Sequence, residues 1–134
     1  MVKMHVTYQG QKHCELVHEQ SGTVIETDAP RDNQGKGERF SPTDLVGAAL
    51  ASCVLTTMAI VAERDGLSIE GTSASVEKRM TDSPRMIASL TLSIKMPARL
   101  TPEQRRKMEN TARACPVHKS LHPDVQQPMT FEYI

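Results

Sequence analysis

The stretch Ser41-Pro42-Thr43-Asp44-Leu45-Val46-Gly47-Ala48-Ala49-Leu50-Ala51-Ser52-Cys53-Val54-Leu55-Thr56-Thr57-Met58-Ala59-Ile60-Val61-Ala62 decides the fold. It reads as one long helix, apolar on nearly every side, with Cys53 in its middle. Ser41 is a good N-cap, Pro42 suits the first helical position, and Asp44 completes an S-x-x-D capping box at the positive end of the helix dipole. Glu63-Arg64-Asp65-Gly66 then restores charge and supplies a glycine of the kind that commonly ends a helix.

No charged side chain lies between Asp44 and Glu63, a length of roughly 27 Å at ~1.5 Å per residue, so a membrane span has to be weighed. Gly47, the many alanines and Ser52, Thr56 and Thr57 make the stretch only weakly hydrophobic, and no interfacial aromatic flanks it. The expectation is a buried central helix and no membrane contact. A helix apolar all round needs cover on every face. In a 134-residue chain with 38% hydrophobic content, one domain spanning residues 1–134 has little material to wrap it, which predicts a partner subunit.

Aromatic residues are limited to Tyr8, Phe40, Phe131 and Tyr133, so packing must rest on aliphatic residues and eight methionines, and base-stacking platforms are not expected. Lysine plus arginine equals aspartate plus glutamate at 16 each, leaving no long-range field to draw nucleic acid or anionic lipid. A small ligand is the expectation. The N-terminus Met1-Val2-Lys3-Met4-His5 has neither the apolar core nor the cleavage site of a signal peptide, and the three cysteines are widely spaced and odd in number, unlike a secreted disulfide framework. Both features point to the cytoplasm and to catalytic or redox use of the thiols.

Outward from the helix, residues 2–9, 13–18 and 23–27 read as an antiparallel meander with turns at Gly10-Gln11 and Ser21-Gly22. Residues 28–40 form a polar, glycine-containing loop leading into the helix. Residues 69–80 and 86–96 read as a long hairpin around Asp82-Ser83-Pro84, with the even-numbered Leu90, Leu92, Ile94 and Met96 facing the helix. Thr101-Pro102-Glu103-Gln104 opens a second helix, on which Met108, Ala112 and Cys115 share one face, and residues 129–134 form a last strand.

Cys53 taken alone is a common buried residue, and burial raises a thiol pKa. A reactive Cys53 therefore needs help from elsewhere, and among Arg39, Arg31 and Lys12 the sequence favours Arg39, in the loop just before the helix. Cys115 stands where a helix meets Pro116. Cys115, His118 and His122 imitate metal-ligand spacing, but no second tight Cys/His pair accompanies them, so no metal is expected. His13 and Cys14, adjacent on a strand, point to opposite faces. Asp44 is explained by its cap and lies about 180° from Cys53 at ~100° per residue.

Ser41-Pro42-Thr43-Asp44-Leu45 followed by Ala48-Ala49-Leu50-Ala51-Ser52-Cys53, with Ala114-Cys115-Pro116-Val117-His118 further on, closely resembles the OsmC/Ohr family of osmotically inducible proteins and organic hydroperoxide reductases. The resemblance covers the whole chain. It implies an α+β, OsmC-like fold: strand meander, long buried central helix, β-hairpin, a second helix ending in the second cysteine, and a final strand, assembled as an intertwined homodimer. It also implies a cysteine-based peroxidase in which Cys53 attacks a hydroperoxide and Cys115 resolves the product as a disulfide, with a thiol or dithiol reductant and no bound cofactor. Well-characterised members use an arginine in the first hairpin and a glutamate ten residues before the first cysteine. This sequence has Lys12 and His13 in the hairpin and Thr43 at the glutamate position, with Asp44 next. The alternative function is a redox-sensing or small-molecule-binding module that keeps the thiols without efficient turnover.

Overall fold

The short alternating segments at the N-terminus form β1 (Met4–Tyr8), β2 (His13–His18) and β3 (Val24–Asp28), an antiparallel sheet in that order. The first turn takes left-handed backbone at Gly10, Gln11 and Lys12 (φ 89, 55 and 59°). Pairing of Val6 with Leu16 and of Leu16 with Ile25 fixes the register. Because side chains alternate, Met4, Val6, Tyr8, Leu16 and Ile25 share one face, while His13, Glu15, Glu26 and Asp28 share the other. Residues 29–41 follow with one short 3₁₀ turn at Arg31–Asn33, and the Asp28 N–H donates to Phe40 O (3.2 Å), closing the loop on itself.

The computed structural model describes residues Met1–Ile134, and the chain divides into two compact units, 1–46 and 47–134. The long helix is α1 (Pro42–Arg64). Its capping box is formed as the sequence predicts: Asp44 N–H donates to Ser41 Oγ (3.1 Å) and Ser41 N–H to Asp44 Oδ2 (2.9 Å). At the other end Leu67 N–H returns to Ala62 O beside Gly66, whose φ is 70°. Stop and start thus agree with the sequence reading.

In the second unit β4 (Ser73–Met80) and β5 (Ile87–Met96) make the expected hairpin, and β6 (Met129–Tyr133) adds to β5 in parallel. Leu90, Leu92, Ile94 and Met96 are buried, as are Leu50, Val54, Met58 and Ala62 of α1. Gly47 permits the close approach of helix to hairpin: a Cβ there would stand 3.3 Å from both Leu90 and Val76. The helices α2 (Pro102–Ala112) and α3 (Pro116–Ser120) complete the unit. The α+β class and the OsmC-like order of elements hold.

Three local expectations change. The first hairpin strand begins at Ser73 rather than Ile69, because the Thr72 N–H and hydroxyl both donate to Ile69 O, forming a turn with Gly71 at φ 90°. α1 is covered on one face only in the single chain: Ile60 on another side is 48% exposed. Cys115 does not end the second helix. α2 stops at Ala112, and Cys115 has extended backbone (ψ 150°). Proline disfavours helical conformation in the residue before it, so Cys115 is pushed out of one helix and becomes the N-cap of the next.

Candidate active site

The first amides of a helix have no partner within it. In α3 the first helical position is Pro116, which has no N–H, so the first amides on offer are those of Val117 and His118. The His118 N–H donates to Cys115 Sγ at 3.3 Å, and the Val117 amide stands near enough to Cys53 to favour its thiolate. The two thiols lie close enough for each to shift the other's pKa, and the Thr57 hydroxyl, one turn along α1, lies 3.9 Å from Cys53 Sγ.

These contacts treat the two cysteines differently. Burial pushes the Cys53 thiol up, but the Val117 amide, the Cys115 thiol and the Thr57 hydroxyl outweigh it and hold Cys53 below its ordinary value. Cys115 has no exposed surface; burial raises its pKa, and the neighbouring Cys53, favoured as the thiolate, raises it further against the opposing His118 amide. Cys53 is only partly buried and is therefore both the more acidic and the more accessible thiol. All three cysteines are free, and Cys14 lies on β2 opposite Tyr8 and Thr27.

Of the residues singled out from the sequence, Cys53 and Cys115 are brought near enough to influence each other's pKa. Arg39 is engaged otherwise: its Nε lies 3.4 Å from Glu26 Oε2 and one guanidinium nitrogen donates to Glu38 O (3.0 Å). Cys115, His118 and His122 do not gather as metal ligands. The groups that sequence reasoning missed are the Val117 and His118 amides and the Thr57 hydroxyl. The signal for the amides was present in Cys-Pro, since proline displaces the cysteine to a cap. Thr57 stands at the i+4 spacing that puts two side chains on one helix face.

A second constellation occupies the polar face of the first unit. His13 Nδ1 lies 2.6 Å from Asp28 Oδ1, and Nε2 lies 3.0 Å from Glu26 Oε1. Ionised carboxylates only accept, so both ring nitrogens donate and His13 is an imidazolium. Its pKa is raised, by Asp28 first and then by Glu26, while His13 lowers the pKa of each carboxylate. Asp28 also accepts the Glu38 N–H (3.2 Å), tying the loop to β3.

The family model described as OsmC-like protein matches residues 35–127, more than half of the chain. The chain belongs to the OsmC-like family. A crystal structure from Psychrobacter arcticus 273-4, provisionally described as an osmotic stress induced and detoxification response protein, is 44% identical with a TM-score of 0.94, covering 98% of this chain and 96% of that one. The fold of this OsmC-like protein is shared at lower identity. An organic hydroperoxide resistance protein OsmC from Legionella pneumophila is 17% identical (TM-score 0.80, covering 98% of this chain and 96% of that one). The organic hydroperoxide resistance protein OhrB of Bacillus subtilis is 18% identical (TM-score 0.70, 98% of each chain). No curated protein matches the chain.

Proposed function

We propose that this OsmC-like protein is a cysteine-based peroxidase that reduces organic hydroperoxides or hydrogen peroxide, with Cys53 as the attacking thiolate and Cys115 as the resolving thiol. The observation that carries the reading is a pair of neighbouring free thiols in unlike settings: Cys53 is partly open with the Thr57 hydroxyl 3.9 Å away, while Cys115 is fully buried and capped by the His118 amide at 3.3 Å. A peroxidatic cysteine must be a thiolate near neutral pH, whereas a resolving cysteine can wait as a thiol.

The chemistry balances with these two thiols and an external dithiol. Cys53 thiolate attacks the distal oxygen of the peroxide; the O–O bond breaks, and the leaving alkoxide or hydroxide takes a proton to depart as alcohol or water. Cys53 is now a sulfenic acid. The neighbouring Cys115 attacks that sulfur, forming the disulfide and releasing water. An external dithiol returns two electrons and two protons, and no bound metal or organic cofactor takes part. In this reading Cys53 is activated by neutral donors, and Arg39 is held by Glu26. The protein works in the cytoplasm as a homodimer. Support for the dimer comes from Met4, Val6, Tyr8 and Ile25, exposed together on one sheet face, and from the half-covered α1.

The test is consumption of cumene hydroperoxide by purified protein with excess dithiothreitol. Many equivalents consumed per subunit support the enzyme. A single oxidation that stops after one equivalent would replace it with a redox-sensing module.

A further inference from the structure

A helix as short as α3 does not stand by itself, because one turn fixes more backbone than its few internal hydrogen bonds compensate. Yet this turn has to hold the His118 amide on Cys115 Sγ and keep Val117 beside Cys53. One tie is the Cys115 cap at its start. The other comes from outside: Gln127 Nε2 donates to His118 O at 3.2 Å. Gln127 is well placed to hold something still, because the residue before it is fastened to β5 on both sides. Gln126 N–H donates to Ala88 O (3.0 Å) and Leu90 N–H donates to Gln126 O (2.8 Å).

The side chain has no other evident use. Gln127 Oε1 is buried without a hydrogen-bond partner, as is Nδ1 of His118, the residue it grips. Leaving an amide carbonyl unsatisfied is unfavourable, and an apolar residue at position 127 would avoid it. The bond to His118 is what the amide gains in return. We infer that Gln127 is a positioning residue: it carries the rigidity of the sheet to His118 and so fixes the turn whose His118 amide binds Cys115, the thiol that neighbours Cys53. It does not touch either sulfur. Its importance grows during turnover, since a disulfide sulfur is a poorer acceptor than a thiol, and the cap at Cys115 weakens when the Cys53 to Cys115 bond forms. That last step rests on the peroxidase reading, whereas the effect on the reduced Cys53 does not.

The experiment follows alkylation of Cys53 by iodoacetamide against pH, with the modified peptide identified by mass spectrometry. Gln127→Met keeps length and burial but removes the donor. The midpoint for Cys53 should rise by about half a unit, slowing alkylation about threefold near neutral pH, while Cys14 is unaffected. An unchanged midpoint, whatever happens to the melting temperature, would overturn the inference. Should Gln127→Met fail to fold, Gln127→Asn retains the amide but falls a methylene short of His118, and the same two outcomes decide. If the parent protein turns over no peroxide but the midpoint still moves, the positioning role stands and the peroxidase reading falls.

Discussion

The two units each hold a titratable group away from its ordinary pKa, and they do it by opposite means. In the first unit a base, His13, is charged by two ionised carboxylates at 2.6 and 3.0 Å, in a setting where its side chain keeps 24% of its surface exposed. In the second, an acid, Cys53, is favoured as its anion by an amide, a thiol and a hydroxyl, none of which carries charge. Charged partners compensate one another and make a static clamp. Neutral donors favour the sulfur anion without supplying a counter-charge that would fix it in an ion pair. The first arrangement ties strands and loop together, and the second is the one on which the proposed chemistry rests.

The sharpest way to break this contrast is to remove the sulfurs. Cys53→Ser should lose peroxide consumption altogether, whereas Cys115→Ser should still undergo one attack and then accumulate sulfinic acid on Cys53 as peroxide is raised. Mass spectrometry after one equivalent of peroxide should find a Cys53 to Cys115 disulfide in the parent and an added oxygen on Cys53 in Cys115→Ser. A disulfide involving Cys14 would remove the assignment.

The clamp should be visible in the pH dependence of stability. His13 has a folded pKa above 6.5, so its contribution is complete below that value and is lost as pH rises through the higher, folded one. Glu26 and Asp28 have folded values below 4.5 and 3.8, so their contributions are present above those values and are lost as pH falls through the folded ones. The cluster thus stabilises most between roughly pH 4.5 and 6.5. His13→Gln should flatten both flanks of a plot of urea midpoint against pH, while leaving the pH profile of Cys53 alkylation where it was. A moved alkylation profile would mean that the clamp also serves the thiol.

A smaller effect tests the neutral donors. Thr57→Val removes the hydroxyl and keeps the shape, and should raise the alkylation midpoint of Cys53 by a few tenths of a unit, about a twofold loss of rate near neutral pH. Thr57→Ser should restore it. The smallest change is Asp44→Asn, which keeps an oxygen for the capping box and loses only the charge at the helix start. It should cost ~0.3–1 kcal/mol in denaturation and leave peroxide consumption intact. A large fall in rate at unchanged melting would make Asp44 part of the chemistry.

What the sequence determined by itself was mostly local or periodic. The capping box at Ser41 and Asp44, the stop near Gly66, the alternation from Leu90 to Met96 and the turn glycines depend on neighbours a few residues away, and each formed as read. The pairing of Cys53 with Cys115 entered through resemblance, since nothing in the spacing joins residues sixty-two positions apart. Only the tertiary structure decided the rest. Cys115 left the second helix because the proline after it disfavours helical backbone, and this placed the His118 amide on the Cys115 sulfur and Val117 beside Cys53. Gln127 met His118 because a parallel strand returned beside β5. Arg39 found Glu26 and Glu38 in its own unit. Hydrogen bonds from backbone amides carry no side-chain signature, and contacts between distant segments have no periodicity, so neither leaves a mark in the order of residues. Those are the interactions on which the proposed reactivity of Cys53 rests.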